Sequence, residues 1–390
     1  MRLLIYSHFF APSVGGVETV VLLLARGLAS LRDSNGEKGF EVTLVTQTPA
    51  GECDDGAFPF RVIRRPAWTE LWRAICASDV VHVAGPALKP LIFGRFAGKP
   101  VVVEHHGFQT ICPNGQLLIE PAGMPCPGHF MAGRHAECIR CNTSQGWMAS
   151  RKLWLLTFLR RFLCGGVAAN IAPTQWLGGL VQLPNLTAIP HGLEATAVSV
   201  RPEGQPERPV IAFVGRLVTT KGVRLLFEAA RILREQNRSF ELLIIGDGPE
   251  RTSLESYART ARISERVQFA GRLPDAQIEK ELAKSFAVVV PSLGGEVFGL
   301  VVAENMLRAL PVVASDLGAF VEVLGNGGAT FHTADASDLA SKLVQLLDDP
   351  VSAAQLGQRG RLRALEFYSL PRMVDAHAAV YRRLISGAAG

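Results

Sequence analysis

The sequence predicts an α/β protein built from two doubly wound domains with parallel sheets. Two observations carry this prediction. Apolar strands alternate with amphipathic helices in both halves of the chain, and a stretch rich in Pro, Glu and Gly, 194–209, separates the halves as a linker. Such alternation is typical of parallel sheets that are covered by helices on both faces. The 390 residues are also enough for two domains of ordinary size.

The elements follow one another in the order that each domain needs. In the first domain, residues 1–193, apolar runs predict a helix at Glu18–Ser30 and a series of strands. Those strands are Leu3–Ser7, Glu41–Thr46, Val80–Ala84, Val101–His105 and Asn170–Pro173. In the second domain, residues 210–369, strands again alternate with helices, and further helices run to about residue 386. The strands of this domain are Val210–Val214, Glu241–Ile245, Val267–Ala270, Phe286–Pro291 and Pro311–Ser315.

The composition excludes several classes of protein. The chain is 48% hydrophobic and 19% charged with a net charge of +5, which is typical of a globular protein and unlike a nucleic-acid-binding tail. No apolar run reaches the roughly 18–20 residues that span a bilayer. The start, MRLLIYSHFF, is too soon interrupted for a secretory signal, so the expected location is the cytosol. Seven cysteines in a cytosolic chain are more often thiols or metal ligands than disulfides.

Glu296 and Glu304 are the most informative pair of residues. They lie in GGEVFGLVVAEN (Gly294–Asn305), so that Glu296 follows an apolar strand and Glu304 falls inside the next helix. Ligands of open α/β sheets bind at this end of the strands, and a helix N-terminus attracts phosphate. The amides that would open this helix are those of Phe298, Gly299 and Leu300. Two carboxylates beside an anion site suit a nucleotide-sugar, whereas the alternative is a solvated helix start with one exposed glutamate.

A basic loop follows the first strand of the second domain. In FVGRLVTTKG (Phe213–Gly222), Gly215 lets the backbone turn close to a ligand, and Arg216 and Lys221 lie five residues apart. A planar guanidinium and a mobile ammonium both suit a diphosphate. The alternative is a basic pair on the surface, but the carboxylate pair in the same domain favours a ligand site.

Two loops of the first domain carry candidate ligand contacts. Gly15 and Gly16 precede a helix and permit a ligand to approach its amides, although they do not form a GxGxxG fingerprint. His105 and His106 follow a strand in VEHHGFQ, where one of them could bond a sugar hydroxyl or orient a leaving phosphate. The alternative is an ordinary histidine at a strand end. His191, in IPHGLE, is interpreted as part of a structural turn.

The motifs in this order resemble the family 4 glycosyltransferases. The resemblance is carried by FVGRLVTTKG, IIGDGPE, the Glu-x7-Glu of GGEVFGLVVAEN and the N-terminal PSVGGVE, and it covers most of the chain. It implies the GT-B fold, in which two Rossmann-like domains face each other across a cleft and a helix at about 370–390 packs back on the first domain. One departure is Pro-His191-Gly, where the family usually has Pro-Asn-Gly.

The resemblance also implies a role for each matching residue. The expected diphosphate contacts are Arg216, Lys221 and the amides of Phe298, Gly299 and Leu300. Glu296 would bind the sugar hydroxyls near the reacting centre, and Glu304 would bind the ribose. His106, rather than His105, would lie at the sugar. Gly15 and Gly16 would lie near the phosphate and the acceptor. Such enzymes retain the anomeric configuration and need no metal for their chemistry, and no DxD motif appears in a suitable place.

The sequence therefore predicts a retaining hexosyltransferase. It would move a sugar from a nucleoside-diphosphate-sugar to a hydroxyl acceptor, such as a glycan or a lipid-linked glycan in polysaccharide or envelope synthesis. The alternatives are a sugar epimerase of the same fold and a catalytically silent protein that binds nucleotide-sugars. The silent protein is disfavoured because the basic pair and the carboxylate pair are both intact.

A cysteine-rich insertion occupies about 110–150. It is rich in Gly and Pro, lacks a hydrophobic period and carries four cysteines in a C-x13-C-x11-C-x2-C spacing, Cys112, Cys126, Cys138 and Cys141. Four thiolates of this kind could hold a structural zinc ion, which would order a loop that has no core of its own. His129 and His135 are substitute ligands, and the alternatives are reduced cysteines or disulfides.

The segment 150–166 has the pattern of a basic amphipathic helix. Trp154, Phe158 and Phe162 recur at helical spacing among arginine and lysine residues. Such a helix can lie on an anionic bilayer. The alternative is a helix of the first domain whose apolar face is buried.

Overall fold

The structure is a computed structural model that describes residues 1–33, 36–51, 53–120, 122–195 and 208–387. Most of the linker predicted at 194–209 therefore lies outside the described residues. The chain divides into two compact units. The first contains Met1–Leu117, Pro127–Glu194 and Tyr368–Gly390, and the second contains Leu118–Cys126 and Ala195–Phe367. The last segment of the chain thus belongs to the first unit.

The elements are numbered along the described chain. The strands are β1 (Arg2–Ser7), β2 (Glu41–Thr46), β3 (Arg61–Arg64), β4 (Val80–Ala84), β5 (Val101–Glu104), β6 (Leu118–Ile119), β7 (Met124–Pro125), β8 (Ala169–Ala172), β9 (Leu186–Ala188), β10 (Val210–Val214), β11 (Glu241–Ile245), β12 (Val267–Gly271), β13 (Ala287–Val290), β14 (Val312–Ser315) and β15 (Ala329–Phe331). The helices are α1 (Gly16–Ser30), α2 (Trp68–Ala77), α3 (Leu88–Phe96), α4 (His135–Cys141), α5 (Trp147–Gly165), α6 (Gln175–Val181), α7 (Val223–Glu235), α8 (Arg251–Thr260), α9 (Asp275–Leu282), α10 (Leu300–Leu307), α11 (Gly318–Leu324), α12 (Ala336–Asp348), α13 (Pro350–Phe367) and α14 (Leu370–Ser386).

The first unit is built on a parallel sheet in the order β3-β2-β1-β4-β5-β8-β9. The C-terminal helix α14 packs against α1. Their close approach requires glycine at position 27, because a Cβ there would lie 2.3 Å from Cγ2 of Val374. Tyr381 of the same helix reaches the sheet, where its hydroxyl lies 2.9 Å from Nδ1 of His82 in β4. Helix α14 is therefore part of the core of this unit.

The second unit is built on a parallel sheet in the order β12-β11-β10-β13-β14-β15. The two central strands β10 and β13 are apolar along their whole length, as expected for a parallel sheet with helices on both faces. Phe213 of β10 and Phe227 of α7 are buried in one continuous core. Complete burial of a side chain of this size contributes about 1.5–3 kcal/mol, so contacts of this kind hold α7 against the sheet.

Two doubly wound α/β units confirm the predicted fold class. The predicted strands are all present, and no end differs by more than one residue. The first-unit strand predicted at Val101–His105 ends at Glu104, for example. Strands β3, β9 and β15 were not predicted because they span only three or four residues and show little apolar pattern. Among the described residues, no helix is long and apolar enough to cross a bilayer.

Candidate functional site

The candidate site of the second unit lies where its strand order reverses. Strand β10 has β11 on one side and β13 on the other, so the chain leaves β10 and β13 for different halves of the sheet. Loops that diverge in this way leave a crevice at the carboxyl ends of the strands, which is where doubly wound sheets bind ligands. The loop after β10 carries Arg216 and Lys221, and the loop after β13 carries Glu296.

Lys221 and Glu296 form the centre of this site. Lys221 Nζ lies 2.5 Å from Glu296 Oε1, and Ser292 Oγ donates a hydrogen bond of 2.9 Å to the same oxygen. Both side chains are largely shielded, with 28% of Lys221 and 12% of Glu296 exposed. The fold thus joins a predicted cation and a predicted carboxylate that are 75 positions apart in sequence.

The backbone of the two loops fixes this pair. The amide of Leu293 donates to the carbonyl of Thr220 at 2.8 Å. Gly222 has a φ of +63°, and a Cβ on it would lie 2.0 Å from the carbonyl oxygen of Pro291. Only glycine fits this position, because it combines a left-handed conformation with a backbone contact.

Arg216 lies on the same loop after β10 as Lys221, and its side chain is exposed. The neighbouring Leu217 is buried and anchors the loop, since its amide donates to the carbonyl of Asp247 at 3.0 Å. The carbonyl of Leu217 in turn accepts from the amide of Glu250 at 3.1 Å. The IIGDGPE turn therefore shapes the basic loop.

The helix after Glu296 begins as the sequence predicts. Gly299 precedes α10 with a φ of +90°, and a Cβ on it would lie 2.5 Å from the ring of Phe320. Phe298 is buried and holds the turn against the core. Leu300 is the first helical residue. The first amides of a helix have no partner within it and point outward, so this turn offers donors for an anion.

In the first unit, the predicted glycine loop lies at the start of α1. Gly15 is the residue before the helix and has an extended backbone, and Gly16 is the first helical residue and is exposed. The carboxylate of Glu18 folds over this turn, because a Cβ on Gly15 would lie 2.5 Å from Glu18 Oε2. Ser13 Oγ also donates to Glu18 Oε1 at 3.1 Å. The loop is therefore closely packed by its own carboxylate.

His106 and His105 have different surroundings, and the difference separates their roles. His105 is buried, with Nε2 3.0 Å from Oδ1 of Asn170, and burial lowers its pKa to about 4. Its contacts are those of a core histidine. His106 lies against Glu104, with 3.4 Å between Nε2 and Oε2, and its ring stacks on that of His191 at a centroid distance of 5.2 Å.

Residues 199–363 match the family described as glycosyl transferases group 1. The MMP alpha-(1->4)-mannosyltransferase of Mycolicibacterium hassiacum is 32% identical over 417 residues, an alignment that covers 99% of this chain and 99% of that protein. The chain belongs to the group 1 glycosyltransferases. The alpha-D-kanosaminyltransferase of Streptomyces kanamyceticus is 30% identical over 322 residues, which cover 80% of this chain and 79% of the relative.

Solved structures confirm the fold of this glycosyltransferase. Sucrose-phosphate synthase from Thermosynechococcus elongatus superposes with a TM-score of 0.71 at 18% identity, covering 99% of both chains. The Anabaena protein HepE, solved in complex with UDP, superposes with a TM-score of 0.72 at 16% identity, covering 98% of this chain and all of HepE. At this level of identity the likeness concerns the fold alone, which is GT-B as the sequence predicted.

Glu104 is the residue of this glycosyltransferase that sequence reasoning missed. It ends β5, its side chain is fully buried, and four histidine nitrogens face it. Burial alone would raise the pKa of Glu104, but His106 and His377 hold it well below its usual range. Burial lowers the pKa of His191 to about 3. A charged residue at the end of the run Val-Val-Val-Glu was the available signal, since buried carboxylates need partners.

The four cysteines predicted to bind zinc are not arranged as a ligand group. Cys112 Sγ donates to Oδ1 of Asn114 at 3.0 Å, and Nδ2 of the same side chain contacts Cys141 Sγ at 3.6 Å. An amide side chain therefore contacts both sulfurs. Cys126 lies in the segment that belongs to the second unit, whereas Cys138 lies in the first. Burial also raises the pKa of the Cys112 thiol, which disfavours the thiolate that zinc requires.

Within the described ranges, no three of these sulfurs lie within 4.8 Å of one another as metal ligands would. The residues as placed do not fit the predicted tetrahedral zinc site. The reason is that the insertion forms separate local elements, the hairpin β6–β7 and the helix α4, instead of one loop around a shared centre.

Glu304 lies on α10 and is half-buried. Burial raises its pKa, with a smaller opposing effect from Arg308. Arg308 is itself committed to Glu279, since its Nε lies 3.0 Å from Glu279 Oε2. The Glu304 carboxylate is therefore an incompletely compensated charge.

We expect the Glu304→Gln variant to be more stable than the wild type at neutral pH. A carboxyl group whose folded-state pKa is raised binds more protons in the folded state, so its penalty is present at neutral pH and disappears as the pH falls below the unfolded-state pKa. Melting temperatures measured across this pH range should converge at acidic pH. The control is Glu255→Gln, because Glu255 is also half-buried but is paired with Arg251. A Glu304 variant that is less stable than wild type at neutral pH would contradict the expectation.

Proposed function

We propose that this glycosyltransferase binds a nucleoside-diphosphate-sugar at the crevice of its second unit and transfers the sugar, with retention of configuration, to a hydroxyl acceptor. The observation that carries the proposal is the contact of Lys221 with Glu296 beside the N-terminus of α10. A cation for phosphate, a carboxylate for hydroxyls and helix amides for a developing anion are thereby assembled at one switch point.

Each group of this site has a chemical task. The ammonium of Lys221 sits on a flexible stem, so it can exchange the Glu296 carboxylate for a phosphate oxygen. Arg216 is exposed on the same loop and can clamp the diphosphate with its planar fork. Glu296 accepts hydrogen bonds from sugar hydroxyls, and Glu304 accepts those of the ribose. The α10 amides stabilise the leaving diphosphate.

The same groups supply the positive charge that the leaving group needs. We propose that transfer requires no metal ion at the diphosphate, because two cationic side chains and a helix N-terminus can stabilise it electrostatically. In the first unit, His106 is proposed to bond the sugar and Gly15–Gly16 to approach the phosphate or the acceptor. Addition of Mg²⁺ or Mn²⁺ should therefore leave turnover unchanged.

Mass spectrometry of the products tests the proposed function. The enzyme is incubated with UDP-, GDP- and ADP-sugars, without added metal, and with water, glycans and lipid-linked glycans as acceptors. Transfer or slow hydrolysis of one donor supports the proposal and identifies its base and sugar. Conversion of a donor to an isomer without acceptor would indicate an epimerase. Nucleotide binding without turnover of any donor would indicate a silent binding protein.

Helix α5 presents an exposed apolar surface that bears on the choice of acceptor. The Mycobacterium leprae phosphatidyl-myo-inositol mannosyltransferase, whose name specifies a lipid acceptor for that protein, is 35% identical over 249 residues. Helix α5 of this chain buries Ser150, Thr157 and Cys164, whereas the apolar residues exposed on it are Trp147, Met148, Leu155, Phe158, Leu159 and Phe162. We propose that this surface contacts an anionic membrane and brings the enzyme to a lipid-linked acceptor at its cytoplasmic face.

Replacement of exposed α5 residues should weaken binding to vesicles. Phe162 is 73% exposed and Met148 is 80% exposed, and Arg151 and Lys152 lie on the same helix. We expect Met148→Ser/Phe162→Ser to reduce flotation with vesicles of anionic phospholipid, because the apolar and basic contacts act together. The matched control is Leu362→Ser on α13, where the side chain is 69% exposed. Absence of wild-type flotation would overturn the membrane proposal.

A further inference from the structure

Five side chains of the first unit converge on one buried point. Glu104 is at the centre, and four histidines surround it. His82 lies in β4 and His377 in α14, whereas His106 follows β5 and His191 follows β9. No side chain of the five is more than 5% exposed. The donor site of the second unit does not use these groups, except that His106 has a proposed role at the sugar.

Five polar atoms that meet at this point have no hydrogen-bond partner. They are both oxygens of Glu104 and Nε2 of His82, His106 and His377, and all five are buried. Buried polar atoms in folded proteins are nearly always paired, so a group of five around one point requires an explanation. An uncompensated buried carboxylate is especially unfavourable.

Histidine protons do not resolve the problem in the neutral state. Nδ1 of His377 lies 2.8 Å from the carbonyl of Met373 and must donate to it, so Nε2 of a neutral ring carries no proton toward Glu104. That Nε2 lies 3.6 Å from Glu104 Oε2. A lone pair would then face a carboxylate oxygen. The cluster therefore needs a positive charge, which is either a proton on a histidine or a metal cation.

We propose that Glu104, His106 and His191 bind a divalent transition-metal cation, best matched by Zn²⁺. Within the described part of the chain, these three form the group whose ligand atoms all lie within 4.8 Å of one another. A carboxylate and two imidazole nitrogens form a donor set that suits zinc and similar ions.

The spacing of the atoms favours a metal over a hydrogen-bonded proton. Glu104 Oε2 lies 3.4 Å from Nε2 of His106, and Glu104 Oε1 lies 3.5 Å from Nδ1 of His191. Ligands held tetrahedrally at about 2.0–2.1 Å from Zn²⁺ are about 3.3 Å apart. A charge-assisted hydrogen bond would bring nitrogen and oxygen to about 2.7–2.9 Å.

The surrounding contacts resemble the outer shell of metal sites. Ligating histidines and carboxylates are usually held by further hydrogen bonds. His82 lies 3.2 Å from Glu104 Oε2 through Nε2, and its Nδ1 is fixed by the hydroxyl of Tyr381. A metal on Nε2 of His106 would leave the other ring nitrogen of that residue for the sugar. The cation would thus orient His106 without taking part in transfer.

Metal titration of the full-length protein tests the inference independently of the donor. Protein without a polyhistidine tag is treated with a chelator and then titrated with Co²⁺ and Zn²⁺, while visible absorption and elemental content are measured. We expect one ion per chain and the intense visible bands of tetrahedral cobalt, without sulfur-to-metal charge transfer. His191→Asn and Glu104→Gln should both abolish stoichiometric binding. His191→Asn also restores the residue that the resembling family usually carries there.

Two controls make the outcome decisive. Cys138→Ser tests whether the cysteine insertion holds the ion, and His332→Asn removes a histidine of the second unit whose side chain is 80% exposed. Both should bind one ion as the wild type does. Circular dichroism establishes whether each variant is folded. If Glu104→Gln does not fold, the result for His191→Asn decides the test. Wild-type protein that binds no ion, or a folded His191→Asn that still binds one, would overturn the proposal in favour of a protonated histidine cluster.

Discussion

Glu296→Gln should lower kcat for the preferred donor by about 100- to 1000-fold, the range found when one preorganised electrostatic contact to a reacting centre is removed. The carboxylate has two partners in the structure, Lys221 Nζ at 2.5 Å and Ser292 Oγ at 2.9 Å. The neutral amide would still accept a hydrogen bond. It would lose the charge that positions Lys221 and binds sugar hydroxyls, so the effect should fall on kcat more than on KM.

Steady-state kinetics with the donor identified by mass spectrometry measure this loss. The matched control is Glu228→Gln, because Glu228 also pairs with a basic residue of the second unit, Arg224, at 2.9 Å. That pair is exposed at positions i and i+4 of a helix, where such contacts contribute little. Equal kinetics for the two variants would contradict the role proposed for Glu296.

Gly246→Ala should destabilise the second unit by about 3 kcal/mol or more, since strained backbone and a clash with another backbone act together. Gly246 follows β11 with a φ of +137°, a conformation that only glycine adopts readily. A Cβ there would lie 1.8 Å from the carbonyl oxygen of Gly215. Neither backbone can withdraw, because Gly215 donates to Ile245 O at 3.0 Å and Gly246 donates to Gly271 O at 2.7 Å.

Urea unfolding of Gly246→Ala and Gly295→Ala separates the clash from the strain. Gly295 also has a positive φ, +78°, but a Cβ on it would meet no heavy atom within 4 Å. We expect Gly295→Ala to lose only about 1–2 kcal/mol, the penalty of the left-handed conformation. Similar losses of unfolding free energy for both variants would show that the clash with the Gly215 carbonyl adds nothing to the strain of the backbone.

Local patterns were sufficient to predict which residues lie at the strand ends of the second unit. Apolar runs fix where the strands end, and in a parallel sheet all of those ends lie at one edge. Arg216 and Glu296 follow β10 and β13, which are neighbouring strands, so the two loops begin at the same edge of the sheet. The precise contact of Lys221 with Glu296 does not follow from this, because it depends on Gly222 approaching the carbonyl of Pro291.

Local patterns failed for the cysteine insertion. The spacing of Cys112, Cys126, Cys138 and Cys141 is compatible with a zinc site, but spacing along a chain does not determine where sulfur atoms lie when the intervening residues form elements of their own. In the structure Asn114 contacts two of the sulfurs, and Cys126 falls in the segment of the other unit.

By itself, the sequence determined the α/β class, the division into two doubly wound units, the family and the residues at the strand ends of the second unit. These follow from periodicity and short motifs, which act over a few residues. Only the tertiary structure decided that His82, Glu104, His191 and His377 share one buried point. The helix that carries His377 also carries Tyr381, whose contact with His82 joins positions 299 residues apart. No local pattern marks such a cluster, because its members come from four separate elements and meet only when the C-terminal helix packs into the first unit.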